Sequence, residues 1–396
     1  MDNGVFDCLL WAALKRKQRR RRELEDAHAH PRALGPGGRG GTLTYRKLRK
    51  RYPNLEGKAA RMLQPERTQW YLNYIENKAE AADPESVIGK EFRAKFRVPY
   101  SMFEEIVQAT RDSGLFPDEL ESKSGQKPHP LAMKVMACFR RLALGIPVSA
   151  LEDMCGISEP VMSKFIQKWE RWFVEKYHSE WVKMPEGEEL DKAQALFAKC
   201  GLPGFVSSMD VVHVKYDRCP WGQRAIHTGK EGYPTLGYQF HCGHNRRIYW
   251  HSPEGFPGAR NDKTIVRYDE IQRALKENPG YNEREYEVWV SNEDKEIKRG
   301  VHSLCDGGYH KWLTAICGAK HCDHADLKAW SGLCESVRKD VECLFGIMKK
   351  RFRILGVASL AHFAENINMV VKVCSVLHNM LLEFDGLDTA GDNATD

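Results

Sequence analysis

Asp210, Asp306 and Glu342 each stand where a carboxylate needs a reason. Asp210 interrupts the apolar, β-branched run 205–214, which predicts a strand buried on at least one face, and a bare carboxylate there calls for a compensating cation. Asp306 closes the stretch 301–306 and is followed by Gly307 and Gly308, the pattern of a strand that ends at a sharp turn with its acid at the C-terminal edge. Glu342 lies in residues 335–355, where positions 337, 341, 344, 348, 352 and 355 are apolar at helical spacing. On the other face of that predicted helix, Glu335, Arg338, Glu342 and Lys349 fall roughly in line. Carboxylates that hold a divalent cation, with Lys and Arg a turn away to hold phosphates, would suit cleavage of a phosphodiester in a polyanion. The same face also fits an ordinary solvated helix side laced with ion pairs.

The elements that must deliver these acids follow from changes of period along the chain. Residues 1–60 hold two basic runs, seven cations in the eight positions 15–22 and five in the six positions 46–51, separated by a Gly/Pro-rich stretch. We expect a disordered basic arm there, serving as a nuclear-import signal, as a DNA contact or as solvated charge alone. Residues 61–198 read as helical, including a helix that Ser101 would cap and an apolar helix over 131–145. Within that region a helix at 149–155, Gly156 and a helix opened by Ser158 and Pro160 give a helix-turn-helix layout. The second helix is expected to bury Val161, Phe165 and Trp169, with Trp172 or Phe173, and to present Ser163, Lys164, Gln167, Lys168 and Arg171 outward. Such helix pairs are equally common in proteins that never touch DNA.

From residue 199 to 384 the pattern is strand-like, then mixed: strands at 206–215, 235–244 and 245–252 with a hairpin turn at 244–247, a loop at 255–262, an amphipathic helix at 263–275, the strand ending at Asp306 and the helix bearing Glu342. Residues 385–396 form an acidic tail expected to be disordered. The order predicts an α/β chain whose RNase H-like domain, preceded by the all-α segment, gathers three distant acids at one point. Asp262 heads the 263–275 helix as a cap, a fourth metal ligand, or both. Cys317, Cys322, His324 and Cys334 are either a soft zinc set or free thiols. His378 and Asn379 sit in an apolar helix where a buried structural hydrogen bond is the expected role.

The net charge of +6 and pI near 8.6 are modestly basic. Twelve scattered cysteines suit a reducing compartment without disulfides, and neither a signal peptide nor a membrane-length apolar run is expected.

Five ordered segments, 204–214, 255–262, 305–309, 335–346 with 350–355, and 374–382, resemble the PIF/Harbinger transposases, in particular the plant-type, Pong-like branch and its domesticated nuclease relatives. The resemblance spans about residues 85–387. It implies a DDE triad of Asp210, Asp306 and Glu342, thirty-five residues separating the last two, with Asp262 as a further acid, and Mg²⁺ or Mn²⁺ as cofactor. It further implies double-stranded DNA as substrate, nuclear residence, a homo-oligomer on DNA, and a Myb-like partner protein. Lys164, Lys168 and Arg171 in the helical segment, and Arg338, Lys349 and Lys350 beside Glu342, are the expected DNA contacts. A catalytically silent DNA-binding or partner-docking descendant is the alternative. Three departures stand out: Val211 after the first acid, Cys343 in place of Arg after the last, and an apparent insertion over 281–298.

Overall fold

The computed structural model describes residues 65–116, 129–291, 293–309, 312–319 and 323–387. The chain divides into two units, Met1–Ala60 and Arg61–Asp396, and every described residue belongs to the second. Both basic runs, the tail from residue 388 and Cys322 lie outside the described residues.

Ahead of the first strand come short helical stretches between residues 65 and 82 and then the helices α1 (Val87–Phe96), α2 (Tyr100–Asp112), α3 (Leu131–Leu144), α4 (Ser149–Cys155), α5 (Glu159–Trp181) and α6 (Gly187–Lys199). Pro99 precedes α2, so Ser101 lies inside that helix and caps nothing. Gly156 ends α4 in the left-handed conformation at φ 65°, and α5 starts after Ser158 with Pro160 in its first turn, so the expected helix, turn and helix are present. The buried stripe of α5 is Met162, Phe165, Ile166, Trp169, Trp172 and Phe173. Val161 is instead 41% exposed, because one residue back from Met162 the helix has turned about 100° toward solvent. Lys164, Gln167, Lys168 and Arg171 are exposed as expected, although the Lys168 ammonium donates to the Leu115 carbonyl at 2.6 Å.

Besides short helical turns, the elements that follow are β1 (Phe205–Lys215), β2 (Thr235–Cys242), β3 (Ile248–His251), β4 (Phe256–Pro257), α7 (Asp262–Ile265), α8 (Glu270–Glu277), β5 (Glu285–Trp289), β6 (Lys295–Arg299), β7 (His302–Leu304), β8 (Ala315–Ile316), α9 (Ala325–Arg351) and α10 (Ala364–Phe384). One mixed sheet runs in the order β3-β2-β1-β7-β8, with β4 also on β2; β1 pairs antiparallel with β2 and parallel with β7. In the β1–β2 register Asp210 faces Phe240, Val212 faces Tyr238 and Val214 faces Leu236, so Asp210 shares a sheet face with an apolar row. Against that face α9 lays Val341, Leu344 and Met348, part of the stripe predicted for it, all six positions of which are buried. β5 and β6 form a separate hairpin over the apparent insertion; the Tyr286 ring lies where a Cβ on Gly204 would stand, and Gly204 holds φ 82°.

The helix expected over 263–275 is broken in two. Asp269 leaves the helical conformation and its carboxylate accepts the N–H groups of Ile271 and Gln272, capping α8. The same residue accepts from His241 at 2.7 Å, and His241 meets Ser207 at 3.2 Å on its other nitrogen. This Ser-His-Asp chain has the connectivity of a hydrolase triad, but all three residues are buried, so it ties β1, β2 and α8 together without meeting a substrate.

A single apolar cluster includes residues from Trp70 to Leu381, so the helical segment and the sheet share one core. Against expectation, one described helix, α10, is long and apolar enough to cross a bilayer by length and composition; 72% of its apolar window is buried inside the fold. Its Asn379 accepts from the Ile248 N–H at 2.9 Å and donates to the Trp181 and Ile248 carbonyls, and the His378 ring meets the Arg246 carbonyl at 3.0 Å. The structural role expected for this pair is thereby met.

Between α5 and β3 the rings of His178 and His251 meet nitrogen to nitrogen at 3.1 Å. Burial, with Lys372 nearby, pushes His178 down to about 4, and burial beside His178 pushes His251 down to about 3. Both rings are neutral in the fold and titrate near 6.5 once unfolded, so stability is complete above about pH 6.5 and falls as pH drops toward 4. Urea unfolding from about pH 7 to about pH 5 is expected to show a shallower loss in His251→Gln than in the parent, by up to about 1.4 kcal/mol per pH unit. Parallel slopes would sink this assignment; buried carboxyls such as Glu170 act in the opposite sense but equally in both proteins.

Candidate active site

Asp210 comes from the middle of β1, on the face turned to α9. One carboxylate oxygen accepts the N–H of Val211 at 2.8 Å, and the other lies 3.5 Å from Nη1 of Arg338. The same guanidinium donates from Nη2 to Glu342 at 2.7 Å and from Nε to Glu335 at 3.1 Å. The first and third predicted acids, distant in sequence, therefore meet at Arg338, whose side chain is only 11% exposed. The helical spacing had aligned Arg338 with Glu335 and Glu342; what it lacked was the strand that brings Asp210 to the third arm of the fork.

Asp306 lies in the loop after β7, which ends two residues earlier than predicted because the chain turns there: the Asp306 carboxylate accepts the Gly308 N–H at 2.7 Å. A Cβ on Gly308 would stand 2.8 Å from Oδ1 of Asp306 and 3.3 Å from Oδ2 of Asp262. Glycine at this position lets the two carboxylates approach across it. Asp262 is free to do so because it is not the cap of its helix; Asn261 is, its side chain accepting the Thr264 N–H at 3.0 Å.

The acids sense one another. Burial pushes the Asp210 carboxyl up to about 6, against the Val211 N–H and Arg338, while the Asp306 and Asp262 charges push the same way as burial. Burial and then Asp306 raise Asp262, opposed by Lys230. Tyr309 is sealed behind them and donates to the Gln239 side chain at 2.9 Å; burial and the charges of Asp210, Asp262 and Asp306 hold its hydroxyl well above the ordinary range. Tyr309 and Lys230 were not singled out in the sequence. Tyr309 follows the acid by three positions after two glycines, a signal that was present; nothing local marks Lys230 in its loop.

Among the described residues no three His, Cys, Asp or Glu side chains are gathered tightly enough to enclose a metal ion as they stand. Arg338 neutralises two of the acids instead. As a donor set the four carboxylates are hard oxygen ligands, and the charges of Asp262 and Asp306 push Asp210 up while that of Asp306 pushes Asp262 up; this chemistry fits Mg²⁺ or Mn²⁺. Of the soft set, Cys317 and Cys334 are free thiols and His324 precedes α9 with its ring 3.8 Å from Asp326. Lys349 is half-buried two turns beyond Glu342, its ammonium lowered by burial and facing Glu231, and Lys350 beside it is exposed.

Neither the curated proteins nor the solved structures contain a match to this chain. A family model described as plant transposon protein does match, over residues 179–389, a span that begins in the last turn of α5 and takes in the whole sheet, all four acids and α10. That span is more than half of the 396 residues, and the chain belongs to the plant transposon protein family.

Proposed function

We propose that this chain is a divalent-metal-dependent DNA endonuclease of the DDE transposase type, of PIF/Harbinger kind, acting through Asp210, Asp306 and Glu342 with Asp262 as a further ligand. The observation that carries the reading is the convergence of Asp210 and Glu342 on one guanidinium beside a loop where Asp306 and Asp262 flank Gly308. A central strand with an antiparallel neighbour on one side and a parallel one on the other, backed by the Glu342 helix, supports an RNase H-like domain.

Bound Mg²⁺ or Mn²⁺ would neutralise the phosphodiester and make a water or 3′-hydroxyl acidic enough to attack. The chain's own residues do the rest. Asp210, Asp306, Asp262 and Glu342 supply the oxygens; the Gly308 N–H fixes the Asp306 carboxylate, and the Val211 N–H fixes that of Asp210. Arg338 orients Glu342, and Tyr309 with Gln239 closes the floor to water. Lys349 and Lys350 continue the cationic edge of α9 along the path of a phosphate backbone, and Lys164, Lys168 and Arg171 give α5 a second phosphate-binding face. Nuclear residence, assembly as a homo-oligomer on DNA and docking to a Myb-like protein complete the reading.

The test is cleavage of duplex DNA carrying candidate terminal repeats by the purified chain supplied with Mg²⁺ or Mn²⁺. Metal-dependent nicks or breaks are the expected product. Tight DNA binding without any product under either ion would overturn the nuclease in favour of a silent DNA-binding descendant.

A further inference from the structure

Away from the acids, a cysteine, a histidine and an aspartate from three separate elements form a linear chain. Cys200 is the C-terminal cap of α6, His244 lies in the turn between β2 and β3, and Asp340 sits on the sheet-facing side of α9. The Cys200 sulfur is 3.3 Å from Nε2 of His244, and Nδ1 of the same ring is 2.5 Å from Oδ2 of Asp340. One imidazole thus bridges a thiol and a buried carboxylate through its two nitrogens. That is the order in which an acid orients a base and the base takes the proton of a nucleophile. The Phe197 ring lies tilted beside the imidazole with centroids 5.8 Å apart, and Arg246 lies 3.6 Å from the other oxygen of Asp340. Cys200 itself is partly buried, unlike Cys138, Cys242 and Cys374, which are fully buried.

We propose that Cys200, His244 and Asp340 make a reactive-thiol site, at which Cys200 exchanges with low-molecular-weight disulfides and carries the resulting mixed disulfide. His244 takes the Cys200 proton, and the thiolate attacks one sulfur of the small disulfide. A bond forms between Cys200 Sγ and that sulfur, the small molecule's own S–S bond breaks, and its second sulfur leaves as a thiolate that recovers the proton from His244. Asp340 is a positioning residue that holds the ring and favours its cation. The hydrogen bond to Asp340 raises His244, and burial and the Asp340 charge raise the Cys200 thiol; the imidazolium that forms once His244 has taken the proton would be the positive charge beside the sulfur.

The experiment exposes the native full-length chain to hydroxyethyl disulfide at neutral pH, quenches with acid and follows each cysteine by peptide mass. N-acetylcysteine in the same tube gives the unassisted rate. Cys200 is expected to react roughly ten-fold faster than N-acetylcysteine and than exposed Cys343, and His244→Gln to remove that advantage. Asp340→Asn should lower the Cys200 rate alone. Loosening of the fold would do the opposite, opening Cys138, Cys242 and Cys374 to reagent. A parent Cys200 no faster than N-acetylcysteine, or a Cys200 rate unmoved in His244→Gln, overturns the proposal.

Discussion

Asp306→Asn is expected to lower the single-turnover rate of metal-dependent DNA cleavage by at least about 1,000-fold while leaving the fold as stable as the parent or slightly more so. The two halves of this result have separate causes. An asparagine keeps an oxygen to accept the Gly308 N–H at 2.7 Å, so the loop that follows β7 retains its turn. What is lost is one negative charge facing Asp262 across Gly308, and the Asp306 charge raises both Asp262 and Asp210. Removing it relieves repulsion in the metal-free protein and, under the DDE reading, takes away an anionic ligand of the ion. Calorimetry of the metal-free proteins beside the cleavage assay separates the two. A variant that cuts at more than about a tenth of the parental rate would remove Asp306 from the triad.

What was readable in the sequence was whatever a single element decides. The first four positions of the predicted stripe, 337, 341, 344 and 348, are buried on α9, because a long helix crossing a sheet obeys its own period whatever the neighbours are; 352 and 355 are buried past its end at Arg351. Asp210 stood out for a similar reason, since an acid inside an apolar strand is conspicuous. Features set by partners from elsewhere were not legible. Asp269 looks like one more polar position on an amphipathic helix, yet it ends one helix turn and caps the next while accepting from buried His241, a residue contributed by β2. Val161 fits an apolar stripe as well as Met162 does, and only packing of α5 in the core selects the second. At the site, Asn261 and Asp262 are both good caps by type; once Asn261 takes that role, the Asp262 carboxylate is left for Asp306 to feel.

Arg338→Met carries the second large effect, and its direction depends on metal. In the metal-free chain this guanidinium answers three carboxylates, those of Asp210, Glu335 and Glu342. Its own side chain is nearly buried while Glu335 and Glu342 are about half exposed, so solvent screens part of the loss. Methionine fills a similar volume without charge, and the expected cost in the absence of divalent ions is about 1–3 kcal/mol, below that of a fully buried pair. Under the DDE reading, the guanidinium and the ion compete for the same oxygens of Asp210 and Glu342. Mg²⁺ and Mn²⁺ should then raise the melting temperature of Arg338→Met by more than they raise that of the parent, in proportion to the tighter binding of an ion that no longer has to displace a cation. Arg338→Lys, which keeps the charge but not the three-armed fork, is expected to fall between the two. Titration of each protein with either ion, read by melting temperature, measures this without any DNA present. An ion-induced shift that is equal in all three proteins would mean that Asp210 and Glu342 do not bind the ion together, and Arg338 would then be a structural brace between β1 and α9.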